Sequence, residues 1–427
     1  MVERREYRAM APTAAAALEP LFTVILGRDM PLGVDFWDGS HLGPTESTAR
    51  IVVRSPKALR RILYAPNELG FARAYVCGDA DIEGDIFEAA RIVGDVGPDD
   101  LRIGVKPLLA TVRAAVRLGV IGRPLPPPPE EARVRGRSHS KQRDATAVSH
   151  HYDVSNDFYR LFLGSTMTYS CARFVDAGND LDAAQTAKYE LICQKLGLER
   201  GMRLLDVGCG WGGMVMHAAR AHGVEAVGIT IARQQYELAS KRVSEAGLAG
   251  QIEIRLQDYR DLPGERFDAV SSIGMFEHVG LDRMAEYFTV LHGVLADRGR
   301  LLNHAISTPN GARYSGRSFI ARYVFPDGEL QDVGTVVHAM QKAGFEVRDV
   351  ESLREHYALT LRNWVANLES NWDEAVRLVG ERRARVWRLY MSGSAVSFET
   401  NDVGIHQVLG VNTASDGSSG MPLTRSW

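Results

Sequence analysis

The sequence predicts an α/β chain, a mostly parallel sheet with helices on both faces, preceded by a smaller α+β domain. Three observations carry this. Residues 202–350 alternate strand and helix patterns, the signature of a parallel sheet. Within them an apolar run ends at Asp206, Gly208, Gly210, Gly212 and Gly213 follow, and a helical pattern begins at Met214. A stretch poor in apolar residues, 123–143, separates this region from the first 122 residues.

The elements read in order. In the first domain, residues 1–122, a strand is expected at 50–53 and helices at 57–64 and 85–93. The linker at 123–143 starts with a proline run, Pro126 to Pro129, which favours extended polyproline backbone. Arg133, Arg135, Arg137, Lys141 and Arg143 follow, a solvated linker whose charge suits anionic lipid headgroups. The domain at 144–411 should hold strands at 202–207, 224–229, 252–257, 267–273, 299–306 and 345–350. Its helices fall at 184–196, 212–222, 232–247, 282–296 and 332–343. The tail, 412–427, is rich in Ser, Gly and Thr and reads as disordered.

Composition narrows the class. The 427 residues carry a net charge of −3, which gives no argument for nucleic acid. The four cysteines, Cys77, Cys171, Cys193 and Cys209, form no Cys-x-x-Cys pair, so neither a metal site nor a disulfide framework is expected, and a reducing, cytoplasmic compartment fits. The first residues lack the apolar segment of a signal peptide. The most apolar stretch, Pro107 to Gly122, is interrupted by Arg113 and Arg117 and is too short and charged to span a bilayer. Any membrane contact is then peripheral, at the inner face. Lys106, Arg113 and Arg117 punctuate that stretch at helical spacing, so it either packs on its own domain or lies on a lipid surface.

The glycine turn lets backbone approach a ligand closely. Its spacing, Asp-x-Gly-x-Gly-x-Gly, differs from the dinucleotide fingerprint and resembles the first motif of class I S-adenosylmethionine (SAM)-dependent methyltransferases. In an open parallel sheet the ligand lies beyond the carboxyl ends of the strands, and Asp206, Thr230, Asp258 and Glu277 all fall at such ends.

Further segments occur in a set order: His151-Tyr-Asp-Val-Ser-Asn-Asp157, Thr168-Tyr-Ser-Cys-Ala172, Gly274-Met-Phe-Glu-His-Val-Gly280, His304-Ala-Ile306, Tyr323-Val-Phe-Pro-Asp-Gly328 and His356-Tyr-Ala-Leu-Thr-Leu361. With these, the chain resembles cyclopropane-fatty-acyl-phospholipid synthases and the related mycolic acid cyclopropane synthases, strongly from about His150 to Leu409. Gly70-Phe-Ala-Arg-Ala-Tyr-Val-Cys-Gly-Asp79 resembles a piece of the N-terminal domain of the phospholipid enzymes. The resemblance implies that a cis alkene in a phospholipid chain attacks the sulfonium methyl of SAM. Bound bicarbonate then serves as the base. It implies Glu277, His304 and Tyr357 with the backbone of Cys171 and Ile306 as the bicarbonate ligands. Gly208 and Gly210 would approach the methionine part of SAM and Tyr169 and Ser170 would close over it. Thr230 and Gln235 would bond the ribose, Asp258 and Tyr259 would edge the adenine, and Ile273 would pack near the ring. It further implies a lipid-binding N-terminal domain and, by analogy, a homodimer.

Taken singly, Glu277 would start a helix, His304 and Tyr357 would be core residues, and Tyr259 a packed aromatic. Their joint order decides otherwise. Arg173, where the family commonly has an aromatic residue, and Gln331-Asp332, in place of Pro-Ser, depart from the pattern and bear on the acyl-chain entrance. Three other readings compete. The same cation gives a methylene branch by losing a different proton, which intact Phe276-Glu277-His278 and His304 disfavour. Plant N-methyltransferases share a Met-Phe-Glu-His motif but not the N-terminal domain or the basic linker. A lipid carrier with a dead fold would show a degenerate glycine turn, which is absent.

Overall fold

The computed structural model describes residues 13–27, 29–65, 67–94, 112–132, 141, 143–144, 154–176, 178, 180–262, 264–309, 312–313, 318–425 and 427. Arg133, Arg135 and Arg137 of the linker, Lys106 and His151 lie outside them. The chain divides into two compact units, and the division is not linear. Residues 1–131 and Arg385–Gly393 form one; Ala132–Ala384 and Ser394–Trp427 form the other.

The first unit contains helices α1 (Ala14–Leu26), α2 (Pro56–Tyr64), α3 (Glu68–Val76) and α4 (Ile86–Gly94). Its four strands are β1 (Gly33–Phe36), β2 (His41–Leu42), β3 (Ala49–Val53) and β4 (Ala80–Gly84), in the order β2-β1-β3-β4. The expected strand and both expected helices are present, and α1, α3, β1, β2 and β4 are additional. Leu18 and Phe22 of α1 bury against Leu32, Val34, Phe36 and Val53, with Phe22 edge-on to Phe36 at 5.5 Å. Arg385 reaches this unit from far along the sequence: its guanidinium donates to Asp81 at 3.0 and 3.2 Å and to the Tyr75 carbonyl at 3.3 Å. Those charge-assisted bonds explain why an expected boundary at residue 122 is too simple.

The second unit is built on a seven-stranded sheet, β12-β13-β9-β8-β5-β6-β7. Five strands run parallel: β5 (Arg203–Val207), β6 (Glu225–Thr230), β7 (Ile252–Leu256), β8 (Phe267–Ile273) and β9 (Leu295–Ser307). β10 (Ala312–Arg313) and β11 (Glu329–Leu330) form a separate two-stranded pair. β12 (Glu346–Ser352) and β13 (Gly404–Val411) add antiparallel pairs to the large sheet, β13 lying between β9 and β12. The sequence reading lacked β13. Alternate residues of one strand enter opposite layers. Leu205 and Leu301 pack with helices α9 (Met284–Gly293) and α10 (Val333–Lys342). Leu204 and Leu302 pack with α6 (Leu181–Leu196) and α7 (Gly213–His222). Both faces are covered, as a parallel sheet requires. Helices α5 (Asn156–Leu163), α8 (Arg233–Glu245) and α11 (Arg354–Ser370) complete the elements that position the site.

Two expectations change here. The tail is ordered rather than disordered. Asn412 N–H donates to the Gly299 carbonyl at 2.9 Å, and Arg425 pairs with the buried Asp349 at 2.8 Å; these contacts outweigh its polar composition. The described linker cations are internally paired. Arg143 forms a two-bond fork with Asp327, both at 2.6 Å, and Lys141 meets Asp261 at 2.5 Å. No helix among the described residues is long and apolar enough to cross a membrane.

Candidate active site

β5 is the switch point of the sheet, joined to β6 on one side and β8 on the other, and the pocket opens beyond its carboxyl end. Gly208 has φ +80°, and a Cβ there would lie 2.9 Å from the Met275 side chain. Gly210 has φ +54° with open space around it. The turn therefore needs glycine, once for contact and twice for backbone angle. All nine residues expected to hold the cofactor line this one pocket: Tyr169, Ser170, Gly208, Gly210, Thr230, Gln235, Asp258, Tyr259 and Ile273.

Their partners refine the expectation. Thr230 Oγ1 donates to Gln235 Oε1 at 2.8 Å and accepts from Ala232 N–H at 3.1 Å, so the donor this pair can offer a ligand is the Gln235 amide. Both oxygens of Asp258 accept from Arg260, at 2.7 to 2.9 Å. Arg260 holds Asp258 ionised, against a burial that pushes its pKa up. Asp206, fully buried, accepts from Ser271 Oγ at 2.6 Å, and burial lifts its pKa to about 6. Tyr169 stacks on Trp364 at 5.2 Å.

Two residues here escaped the sequence reading. Gln185 donates to the Ser170 carbonyl at 2.9 Å, and the buried Lys188 donates to Ser170 Oγ at 3.0 Å. Burial lowers the Lys188 pKa to about 7. A polar pair three residues apart on the inward face of α6 was the available signal.

A second group of polar residues gathers around the end of β9. Glu277, in the turn after β8, accepts from Ile306 N–H at 2.7 Å through Oε1. Its Oε2 and His304 Nε2 are buried with no hydrogen-bond partner among the described residues. Burial raises the Glu277 pKa to about 7 and drives that of His304 well below the usual value, aided by the charges of Lys188 and Lys195. His304 is therefore neutral. The amide nitrogen of Gln407 meets its Nδ1 at 3.2 Å, which leaves Nε2 to carry the proton. Gln407 sits on β13, opposite His304, and went unread with that strand.

Among the described residues, Cys171 connects to β9 only through intermediate contacts, and Tyr357 lies on α11 near a neighbour of Cys171 rather than in direct contact with Glu277 or His304. Cys171 Sγ donates to the Leu353 carbonyl at 3.7 Å; Leu353 N–H donates to Ile405, and Ile405 pairs with Ile306. Ala172 N–H donates to Thr360 Oγ1 at 3.0 Å, one turn from Tyr357, which is buried against Phe398. Burial pushes the Cys171 thiol far up, so it stays protonated and is no nucleophile. Asp332 is explained locally: its carboxylate accepts from Thr335 N–H at 2.8 Å and caps α10.

A five-strand parallel core with a glycine turn at its switch point, and a pocket lined by the ends of β5, β6 and β8, defines a class I SAM-dependent methyltransferase. Residues 139–408 match the family of mycolic acid cyclopropane synthetases. The chain belongs to that family. It is 43% identical to a probable fatty acid methyltransferase of Mycobacterium tuberculosis over 93% of this chain and 95% of that one. It is 37% identical to the cyclopropane-fatty-acyl-phospholipid synthase of Escherichia coli K12, over 63% of this chain and 69% of that one. The crystal structure of mycolic acid cyclopropane synthase CmaA1 complexed with SAH and CTAB superposes with a TM-score of 0.60 at 34% identity. It covers 62% of this chain and 98% of that one.

Proposed function

We propose that the chain transfers a one-carbon unit from SAM to the cis double bond of an unsaturated phospholipid acyl chain and closes a cyclopropane ring. In that reaction the bond from sulfur to methyl breaks as the alkene forms a new carbon–carbon bond, leaving positive charge on the far carbon. Loss of a methyl proton to a base then lets the ring close. The observation that carries the reading is the pair of buried polar atoms, Glu277 Oε2 and His304 Nε2, with no partner among the described residues. Buried polar groups cost free energy unless satisfied. A buried acceptor and a buried donor on neighbouring segments suit an anion bearing both a hydroxyl and free oxygens, such as bicarbonate. Glu277, His304 and Tyr357, with the backbone of Cys171 and Ile306, would hold it. Bicarbonate, when bound, supplies the base. Glu277 accepts its hydroxyl proton, His304 and the Tyr357 hydroxyl donate to its oxygens, and burial keeps water from the cation.

In this proposal Tyr169, Ser170, Gly208 and Gly210 contact the methionine part of SAM. Gln235, held by Thr230, reaches the ribose, and Asp258, Tyr259 and Ile273 border the adenine. The N-terminal unit presents the lipid from the inner face of the membrane. Supporting this, Val112, Val116 and Ile121 are 40%, 60% and 53% exposed beside Arg113 and Arg117, while Ala114, Ala115 and Val120 anchor the same stretch in the core.

A second reading is methyl or methylene branching of the same acyl chain. It is favoured by the near full-length match to a probable fatty acid methyltransferase, where the cyclopropane synthase matches 63% of the chain. The deciding experiment incubates the protein with SAM and vesicles of cis-unsaturated phospholipid and reads the fatty acids by proton NMR, because both products add the same mass. Upfield ring protons are the expected result. Olefinic methylene protons without ring signals establish branching instead.

A further inference from the structure

One cluster of metal-ligating side chains is used by nothing described above. It lies between α6 and α7, on the layer that carries the glycine turn. Glu190 and Cys193 stand three residues apart on α6; His217 and His222 stand on α7, His222 as its last residue. One ligand atom each from Cys193, His217 and His222 lie within 4.8 Å of one another. Both imidazole Nε2 atoms converge on a single oxygen, Glu190 Oε2, at 3.2 and 3.1 Å. Gln194 fixes the other oxygen at 3.0 Å, and the Tyr189 ring lies 5.7 Å from that of His217.

A carboxylate paired with one histidine is a common surface feature. Two imidazoles aimed at one oxygen, beside a fully buried thiol, are a donor set. Metal–nitrogen and metal–oxygen bonds of about 2.05 Å place the corners of a tetrahedron about 3.3 Å apart, and the observed nitrogen–oxygen separations match that edge. One thiolate, two imidazoles and one carboxylate suit a zinc-class ion rather than calcium or magnesium. We infer that Cys193, His217 and His222 bind one divalent transition-metal ion, zinc foremost, that ties α6 to α7, with Glu190, which already meets both imidazoles, turning in from outside that group as the fourth ligand. With four protein ligands such a site is structural rather than catalytic. It braces the helix that carries Gln185 and Lys188 against the helix that starts at the glycine turn. His217-x4-His222 falls within the spacing of zinc-finger histidine pairs, but no Cys-x-x-Cys accompanies it, so a search for that cysteine pair passes over the cluster.

The test uses the full chain, stripped with a chelator and titrated with cobalt(II) alone while its absorption is followed. The expected result is one equivalent bound, with a thiolate-to-cobalt charge-transfer band and the strong visible bands of tetrahedral cobalt, both lost when one equivalent of zinc is added. Cys193→Ser should remove the charge-transfer band. Glu190→Gln, at a half-exposed position that tolerates change, should weaken binding ~10-fold or more. Cys77→Ser should leave the spectrum unaltered. Failure of wild-type protein to develop the band, a weak octahedral spectrum typical of adventitious surface ions, or a band that survives Cys193→Ser would each overturn the inference. The wild-type spectrum decides even where a variant fails to fold.

Discussion

The two halves of the candidate site are built differently. The SAM half is local: a glycine turn and strand ends within about one hundred residues, lining a pocket open to ligand. The half around β9 draws on segments near residues 171, 277, 304, 357 and 407, and its polar atoms are buried. At the glycine turn, shape governs the first half, since backbone angles and the room a Cβ would take set what fits, although the buried Asp206 and Lys188 also shift their pKa values there. Protonation governs the second, since burial decides which groups hold charge. Damage to each should therefore read out differently.

The largest expected effect is at Glu277. Glu277→Gln keeps the shape but loses the strong acceptor, so product formation should fall ~10²–10⁴-fold, the range for removing acid–base assistance. SAM binding, followed by calorimetry, should be nearly unchanged. Equal losses in both would show that the two halves are not separable. An amine methylation would survive the change, which separates that chemistry from ring formation.

Next is the pH dependence of stability. Glu277 has a folded pKa of about 7 against an ordinary 4.5. The folded chain therefore binds more protons than the unfolded one across that interval. Its contribution to stability is full below about pH 4.5 and is lost as pH rises through about 7, a swing of about 3 kcal/mol. Asp206, raised to about 6, acts in the same direction. Glu277→Gln removes the first contribution only. In thermal melts at pH 5 and pH 8, the variant should gain on the wild type at the higher pH. A constant gap would mean that Glu277 ionises freely in the folded state.

The smallest effect falls on the SAM half. Gly208→Ala places a Cβ at φ +80° and 2.9 Å from Met275, a strain of about 1–3 kcal/mol. It should weaken SAM binding ~10–100-fold, with the pH profile of product formation unmoved. A shifted profile would show that the turn also sets the protonation of the buried half.

This difference also explains what the sequence made legible. Strand, turn and helix at 203–222 write the SAM pocket in consecutive residues, so Gly208 and Gly210 could be placed from pattern. Glu277 and His304 came from the resemblance, because a glutamate after a strand and a histidine within one look like ordinary capping and core. Gln407 stayed hidden because its strand was not recognised: Gly404 and Gly410 interrupt the apolar pattern of β13. Lys188 and Gln185 stayed hidden because long polar side chains on a helix are usually solvated, and only tertiary contact buries them. Arg385 escaped because no local signal shows that a distant helix segment belongs with the N-terminal unit.

The insertion of β13 between β9 and β12 has a consequence for biosynthesis. The middle strand, β13, follows β9 by about one hundred residues and β12 by about fifty, and it leaves the ribosome last of the three. Until residues 404–411 emerge, the nascent chain presents two unpaired strand edges, β9 and β12, each a template for pairing with another chain. The strand that carries Gln407 to His304 also seals those edges, so the buried half of the site is completed in the same event that removes this aggregation hazard.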